Sequence, residues 1–206
     1  LMLRGKAIQF RQGTPTRFRD VQLASTDRNG KLAGIPVVVK AVNALSRSST
    51  VRELLDEHLG VHKDAWLPDF SADTFRKNIV PSKPHSVRDG QRTPGKVAIF
   101  STCYVNYNEP GIGHDLVKVL NHNDIPFVIA EKEACCGMPK LELGDLEGVK
   151  ALKDINIPML ARLARDGYAI LAPIPSCGLM FKQELDRKST RLNSSHEWIS
   201  RMPSSA

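Results

Sequence analysis

Apolar positions along this chain change their period near residue 95. In the first part they recur at three- and four-residue intervals, which is the mark of helices with one buried face. Residues 1–12 read as a short amphipathic helix, stopped by Gly13 and Pro15, that starts in mid-helix without a capping residue. Ile35, Val38, Val39, Val42 and Leu45 predict a second helix over residues 31–46, with ordinary core packing as its role. A third follows, with Thr50 as N-cap, Glu53 completing a capping box and Gly60 ending it. Residues 64–95 hold several prolines and little periodicity, so they read as an extended linker or wrapping segment.

Beyond Pro94, short apolar runs alternate with helical stretches. Residues 96–101, 126–130 and 168–173 read as strands. Residues 113–123 form the helix between the first two, and 146–167 the helical stretch after the second, broken near Pro158. Strand, helix, strand, helix, strand implies a parallel sheet with right-handed crossovers. The predicted fold class is therefore α/β: a helical N-terminal segment followed by a parallel-sheet βαβαβ module. The corresponding division is 1–63 helical connecting segment, 64–95 linker, 96–185 module and 186–206 tail.

That reading gives the four cysteines a common address. Cys103 follows the first strand, Cys135 and Cys136 follow the second, and Cys177 follows the third. All lie past carboxyl ends of parallel strands, where open α/β sheets bind ligands. Thiolate is a soft ligand that selects iron–sulfur clusters, zinc or copper(I). Gly137 after the vicinal pair permits a positive φ, which lets the backbone fold closely around a bound group. Residues 176–180 read as the opening of a helix, where a thiol has a lowered pKa. Three chemistries stay open on these residues alone: an iron–sulfur site, a thiol–disulfide oxidoreductase using Cys135 and Cys136, and a structural zinc module. Zinc is disfavoured because no CxxC pair is present.

Composition narrows the classes further. The 206 residues are 41% hydrophobic, ordinary for a globular protein. No apolar run approaches the about 20 residues that a membrane span needs, and Arg4, Lys6 and Arg11 break any signal-peptide core. A cytoplasmic location is expected, and in a reducing compartment four cysteines read as ligands or catalysts before disulfides. The net charge of +7 sits in residues 1–95, with 16 basic against 9 acidic side chains. No interleaved aromatics accompany it, so nucleic-acid binding is not expected. His58, His62, His85, His114 and His122 are scattered, Trp66 is expected to pack, and the loop 109–113 lacks phosphate-binding spacing and is expected to shape the turn beside Cys103.

The tail reads differently. Residues 186–196 back-translate into the text of a common sequencing-library adapter, with Glu197 and Trp198 in the place of its variable index. The expectation is that 186–206 is adapter translation, that His196 and Trp198 carry no function, and that the natural reading frame is cut near Leu185. With its uncapped start, the chain is expected to be a fragment at both ends.

Three blocks together resemble a known family. Residues 102–113 around Cys103, 134–139 around Cys135-Cys136-Gly137, and 175–185 around Cys177 resemble the cysteine-rich CCG domain. That domain occurs in subunits of heterodisulfide reductase, glycolate oxidase and anaerobic glycerol-3-phosphate dehydrogenase, and the similarity is to the last group in particular. Residues 1–12 and 35–39 resemble, more loosely, the stretch that joins ferredoxin and CCG modules in that group. The resemblance implies a 4Fe-4S type iron–sulfur cluster held by Cys103, Cys135, Cys136 and Cys177. It implies electron transfer from a flavin-containing dehydrogenase subunit to a quinone or another carrier, at the inner face of the membrane through partners and without a transmembrane segment. The substrate oxidised by that partner is not written in the sequence. Two features depart from the family pattern. The 39 residues between Gly137 and Cys177 are more than the family has, and Met180 stands where its CxxC places a second cysteine. The family's cluster is shared between two such modules, so the ligand set here is expected to be incomplete and to hold a cluster weakly if at all.

Overall fold

The computed structural model describes residues 2–13, 17–77, 79–81 and 95–185. The adapter-like tail, His85 and Pro94 lie outside the described residues. Helices α1 (Met2–Gln12), α2 (Arg17–Leu23), α3 (Thr26–Ala33), α4 (Pro36–Arg47) and α5 (Ser49–Leu59) come first. A 3₁₀ turn at Phe75–Lys77 follows. The module then runs β1 (Val97–Ile99), α6 (Cys103–Tyr107), α7 (Pro110–His122), β2 (Phe127–Ile129), α8 (Met138–Leu143), α9 (Leu146–Arg165), β3 (Ala169–Leu171) and α10 (Pro175–Leu179). A π-helical turn, Met180–Glu184, extends α10.

The three strands form one parallel sheet in the order β2-β1-β3. Ala98 pairs with Val128 on one side and Ile170 on the other. The α/β expectation therefore holds, although each strand is shorter than its apolar run. Helices on both crossovers leave the strands covered, which is why they read as apolar runs rather than alternating ones.

Three local expectations differ from the structure. The helix expected over 31–46 is two helices, because Pro36 has no N–H and forces Ile35 to an extended ψ of 127°. The capping box expected at Thr50 does not form; α5 begins one residue earlier, behind Ser48, whose side chain makes no cap bond. Its end is as expected, with Gly60 left-handed at φ 61°. Helix α9 runs unbroken through Pro158. Val149 and Leu160, on either side of that proline, are both buried in the same core, so packing of both halves outweighs the hydrogen bond that proline removes.

Two apolar clusters make the core. One contains Phe100, Ala130, Leu141, Val149, Leu160, Met180 and Phe181 together with Cys135, Cys136 and Cys177. The other joins Ile99, Val105, Leu120 and Phe127 to Phe75, a residue from well before the sheet. Phe75 is fully buried and meets His114 edge-on, with ring centroids 5.6 Å apart. Trp66, expected to pack, is instead 74% exposed, on the wall of a surface groove.

Candidate metal centre

The carboxyl edge of the sheet turns into the cysteine loops at once. After β1 the chain makes a sharp bend at Thr102, whose φ of 67° is rare for a β-branched residue. Thr102 is buried, and its hydroxyl accepts the Val105 N–H at 3.3 Å, capping α6 and placing Cys103 at that helix's first position. A strained, buried residue held by its own cap is the kind of outlier that clusters at functional sites.

The loop after β2 is fixed by Asn156 from the middle of α9. Its carboxamide accepts the Ala134 N–H at 2.9 Å and donates to the carbonyls of Ala134 and Cys135 at 3.2 and 3.0 Å. Asn156 is fully buried, so these bonds are shielded from competing water. Gly137 then turns the chain with φ 94° into α8, as expected. A side chain there would be strained, and a Cβ would come 3.6 Å from the Met180 methyl carbon. Met180, fully buried, thus lies against the Gly137 turn.

The structure brings all four expected cysteines together. They are free thiols, three buried and Cys103 half-buried. Cys135, Cys136 and Cys177 belong to one buried cluster with Cys103 packed against it, a string of neighbouring thiols that influence one another's charge. Hydrogen bonds from Cys103 and Cys136, helped by the Thr26 hydroxyl and the Gly137 N–H, hold the Cys135 thiol far below its ordinary range against the cost of burial. The same bonds, with burial, push Cys103 and Cys136 up.

Polar residues around the string were not legible as site residues. Thr26, at the start of α3, donates its hydroxyl to the Cys135 sulfur at 3.3 Å. Its neighbour Asp27 accepts the Cys135 backbone N–H at 2.7 Å. Burial pushes the Asp27 carboxyl up, and the Cys135 N–H and Lys31 partly offset it. Glu133 is also pushed up by burial; it faces Arg76 at 3.0 Å and accepts the Ser101 N–H at 2.8 Å. A cavity of about 170 Å³ opens beside Cys103, with Lys31, Arg76, Asn106, Tyr107 and Lys132 among its walls. A larger groove of about 590 Å³ between α4, α5 and residues 63–69 has no cysteine on its wall.

By chemistry the donor set fits an iron–sulfur group, since soft sulfur ligands are gathered where water is largely excluded. By arrangement it is a string rather than a cage. Among the described residues no group of three or more His, Cys, Asp or Glu side chains is placed to hold a metal ion. Among the same residues no helix is long and apolar enough to cross a membrane.

Comparison with known proteins agrees with the cysteine pattern. Residues 97–182 match the CCG family, described as a cysteine-rich domain. The chain is similar to a subunit of the anaerobic glycerol-3-phosphate dehydrogenase of Escherichia coli (strain K12), at 29% identity over 174 residues, which is 83% of this chain and 42% of that protein. It is similar to a subunit of the fumarate reductase (CoM/CoB) of Methanothermobacter marburgensis, at 28% identity over 140 residues, 68% of this chain and 26% of that protein. An uncharacterized iron-sulfur protein of Methanococcus maripaludis is 26% identical over 162 residues, 77% of this chain and 32% of its own length. The chain spans less than half the length of these relatives. No solved structure matches. Residues 97–182 thus match the CCG domain, and the chain is similar to subunits of a dehydrogenase and of a reductase and to an iron-sulfur protein.

Proposed function

We propose that this CCG-domain chain is part of an iron–sulfur electron-transfer subunit, taking electrons from a flavin-containing dehydrogenase subunit and passing them to a quinone or another carrier. The observation that carries the reading is the gathering of Cys103, Cys135, Cys136 and Cys177 in and against one buried cluster, just past the carboxyl ends of the three parallel strands. These four would hold the cluster, of 4Fe-4S type. When bound, such a group supplies one-electron redox chemistry at a potential that its surroundings set.

The chain's own residues prepare for that ligand. The surroundings lower the pKa of Cys135 and raise those of Cys103 and Cys136, and ligation requires each thiol to release its proton. Asn156 fixes the loop, and the apolar cluster around Phe100, Leu141 and Phe181 excludes water. Met180 stands where the family's CxxC places a further cysteine, and its burial beside the Gly137 turn gives the site an apolar wall there. The protein works in the cytoplasm and reaches the membrane's inner face through its partners. The division into 1–63, 64–95 and 96–185 belongs to the same proposal.

Anaerobic reconstitution with ferrous iron and sulfide, followed by iron and sulfide analysis and EPR of the reduced protein, tests this. The expected result is substoichiometric iron with a paramagnetic signal, and higher iron content in Met180→Cys. Stoichiometric zinc with no such signal would overturn the proposal. So would metal-free protein that forms a Cys135–Cys136 disulfide and reduces disulfide substrates.

A further inference from the structure

The CCG match begins at residue 97, yet Cys135 is held from residues 26 and 27, its sulfur by Thr26 and its backbone N–H by Asp27. We infer that the first turn of α3 is a clamp on Cys135, and that Thr26 and Asp27 are positioning residues of the cluster site. This rests on the iron–sulfur reading above and extends it beyond the CCG domain.

Both polar contacts of the clamp fall on one residue. The Thr26 hydroxyl donates to the sulfur, and the Asp27 carboxylate takes the backbone N–H, so side chain and backbone of Cys135 are fixed together. Each bond involves a charged or charge-bearing partner in a largely buried place, where such bonds are strongest. The donors that hold a ligand residue set its orientation and the electron density it gives to a bound group.

Close packing puts the clamp in reach. Gly30, one turn into α3, lies against the Tyr107 ring of α6, and a Cβ on it would come within 2.4 Å of that ring. The missing side chain lets α3 approach the helix that carries Cys103. That helix is grasped from the other side as well. Ser71 N–H donates to the Tyr107 carbonyl at 2.7 Å, and the Asn108 amide donates to the Asp69 carbonyl at 2.9 Å. The N-terminal region is thereby tied to α6 and to the loop that carries Cys135.

The hydroxyl bond stabilises the more negative, reduced state of a cluster ligated by Cys135, so its removal lowers the potential. In reconstituted protein, Thr26→Val is expected to move the reduction potential negative and Thr26→Ser to restore it. Gly30→Ala, with Thr26 intact, is expected to shift it in the same direction as Thr26→Val. In metal-free protein, Asp27→Ala is expected to speed hydrogen exchange of the Cys135 amide about tenfold or more, the effect of losing a charge-assisted bond, while Asp27→Asn, which keeps an acceptor, preserves protection. Unchanged potential in Thr26→Val, or unchanged Cys135 amide exchange in Asp27→Ala, would overturn the clamp. If wild-type protein assembles no cluster, the iron–sulfur reading fails by itself, and the amide exchange still decides whether the clamp exists.

Discussion

The two halves of this molecule bury their apolar residues in opposite ways. In the CCG domain the strands and the inner faces of α6 to α10 close over two continuous clusters. From α1 to α5 the buried apolar side chains are Ala7, Ala24, Ala33 and Val39, while Phe18, Leu23, Leu32, Val37 and Leu45 are exposed. Among the described residues, the helical region therefore has small side chains at its contacts and no core of its own. It is held to the domain through close backbone approaches and polar bonds: Gly30 on Tyr107, Gly144 on α1, Thr26 and Asp27 on Cys135. A region built this way contributes to the domain's site more than to its own stability.

The largest test of that contrast is Phe75. It lies before the CCG match but is fully enclosed by Ile99, Val105, Leu120 and Phe127. Phe75→Ala is expected to cost about 3–5 kcal/mol in urea unfolding, as a core residue would. Val37→Ala, at a site 87% exposed on α4, is expected to stay within about 0.5 kcal/mol. Equal effects would erase the distinction between the two regions.

Gly144 probes the seam itself. Its φ is +87°, and a Cβ there would come 2.6 Å from the backbone of Lys6 and Ala7. Gly144→Ala is expected to cost about 1–3 kcal/mol and to expose α1 to limited proteolysis before the domain is cut. Cleavage of both at the same rate would mean that the two halves unfold as one.

The smallest effect is expected on the outer face of α7. The Lys118 ammonium, 2.8 Å from Asp115, holds that carboxyl below the ordinary range. A carboxylate with a lowered folded pKa adds stability above its unfolded pKa, and loses it as pH falls through the folded value. Asp115→Asn should therefore lower Tm only slightly at neutral pH, because both groups are exposed and screened, and the gap to wild type should vanish in acid. A gap that widened in acid would contradict the assignment.

Much of the domain was legible because its signals are local. Apolar runs marked three strands, and their order put Cys103, Cys135, Cys136 and Cys177 at one edge. Gly137 and Gly60 announced their turns through the conformations that only glycine takes freely. The misreadings arose where a local rule met packing or a neighbour. Pro158 sits inside a helix because both halves of α9 are buried in the same core, and Pro36 split a helix that apolar spacing alone made continuous. Thr26, Asp27 and Asn156 left no periodic signal at all. The available hint was Gly30 within a helical stretch, which marks close approach by another element.

What the sequence determined by itself, then, is an address: four cysteines just beyond the ends of parallel strands, in a segment that matches the CCG domain. Only the tertiary structure decided what holds Cys135. That depends on bonds between residues more than a hundred positions apart, such as Thr26 to Cys135. Periodicity records which face of an element is buried; it does not record which polar side chain from a distant helix arrives there, because that is set by how closely two backbones pack.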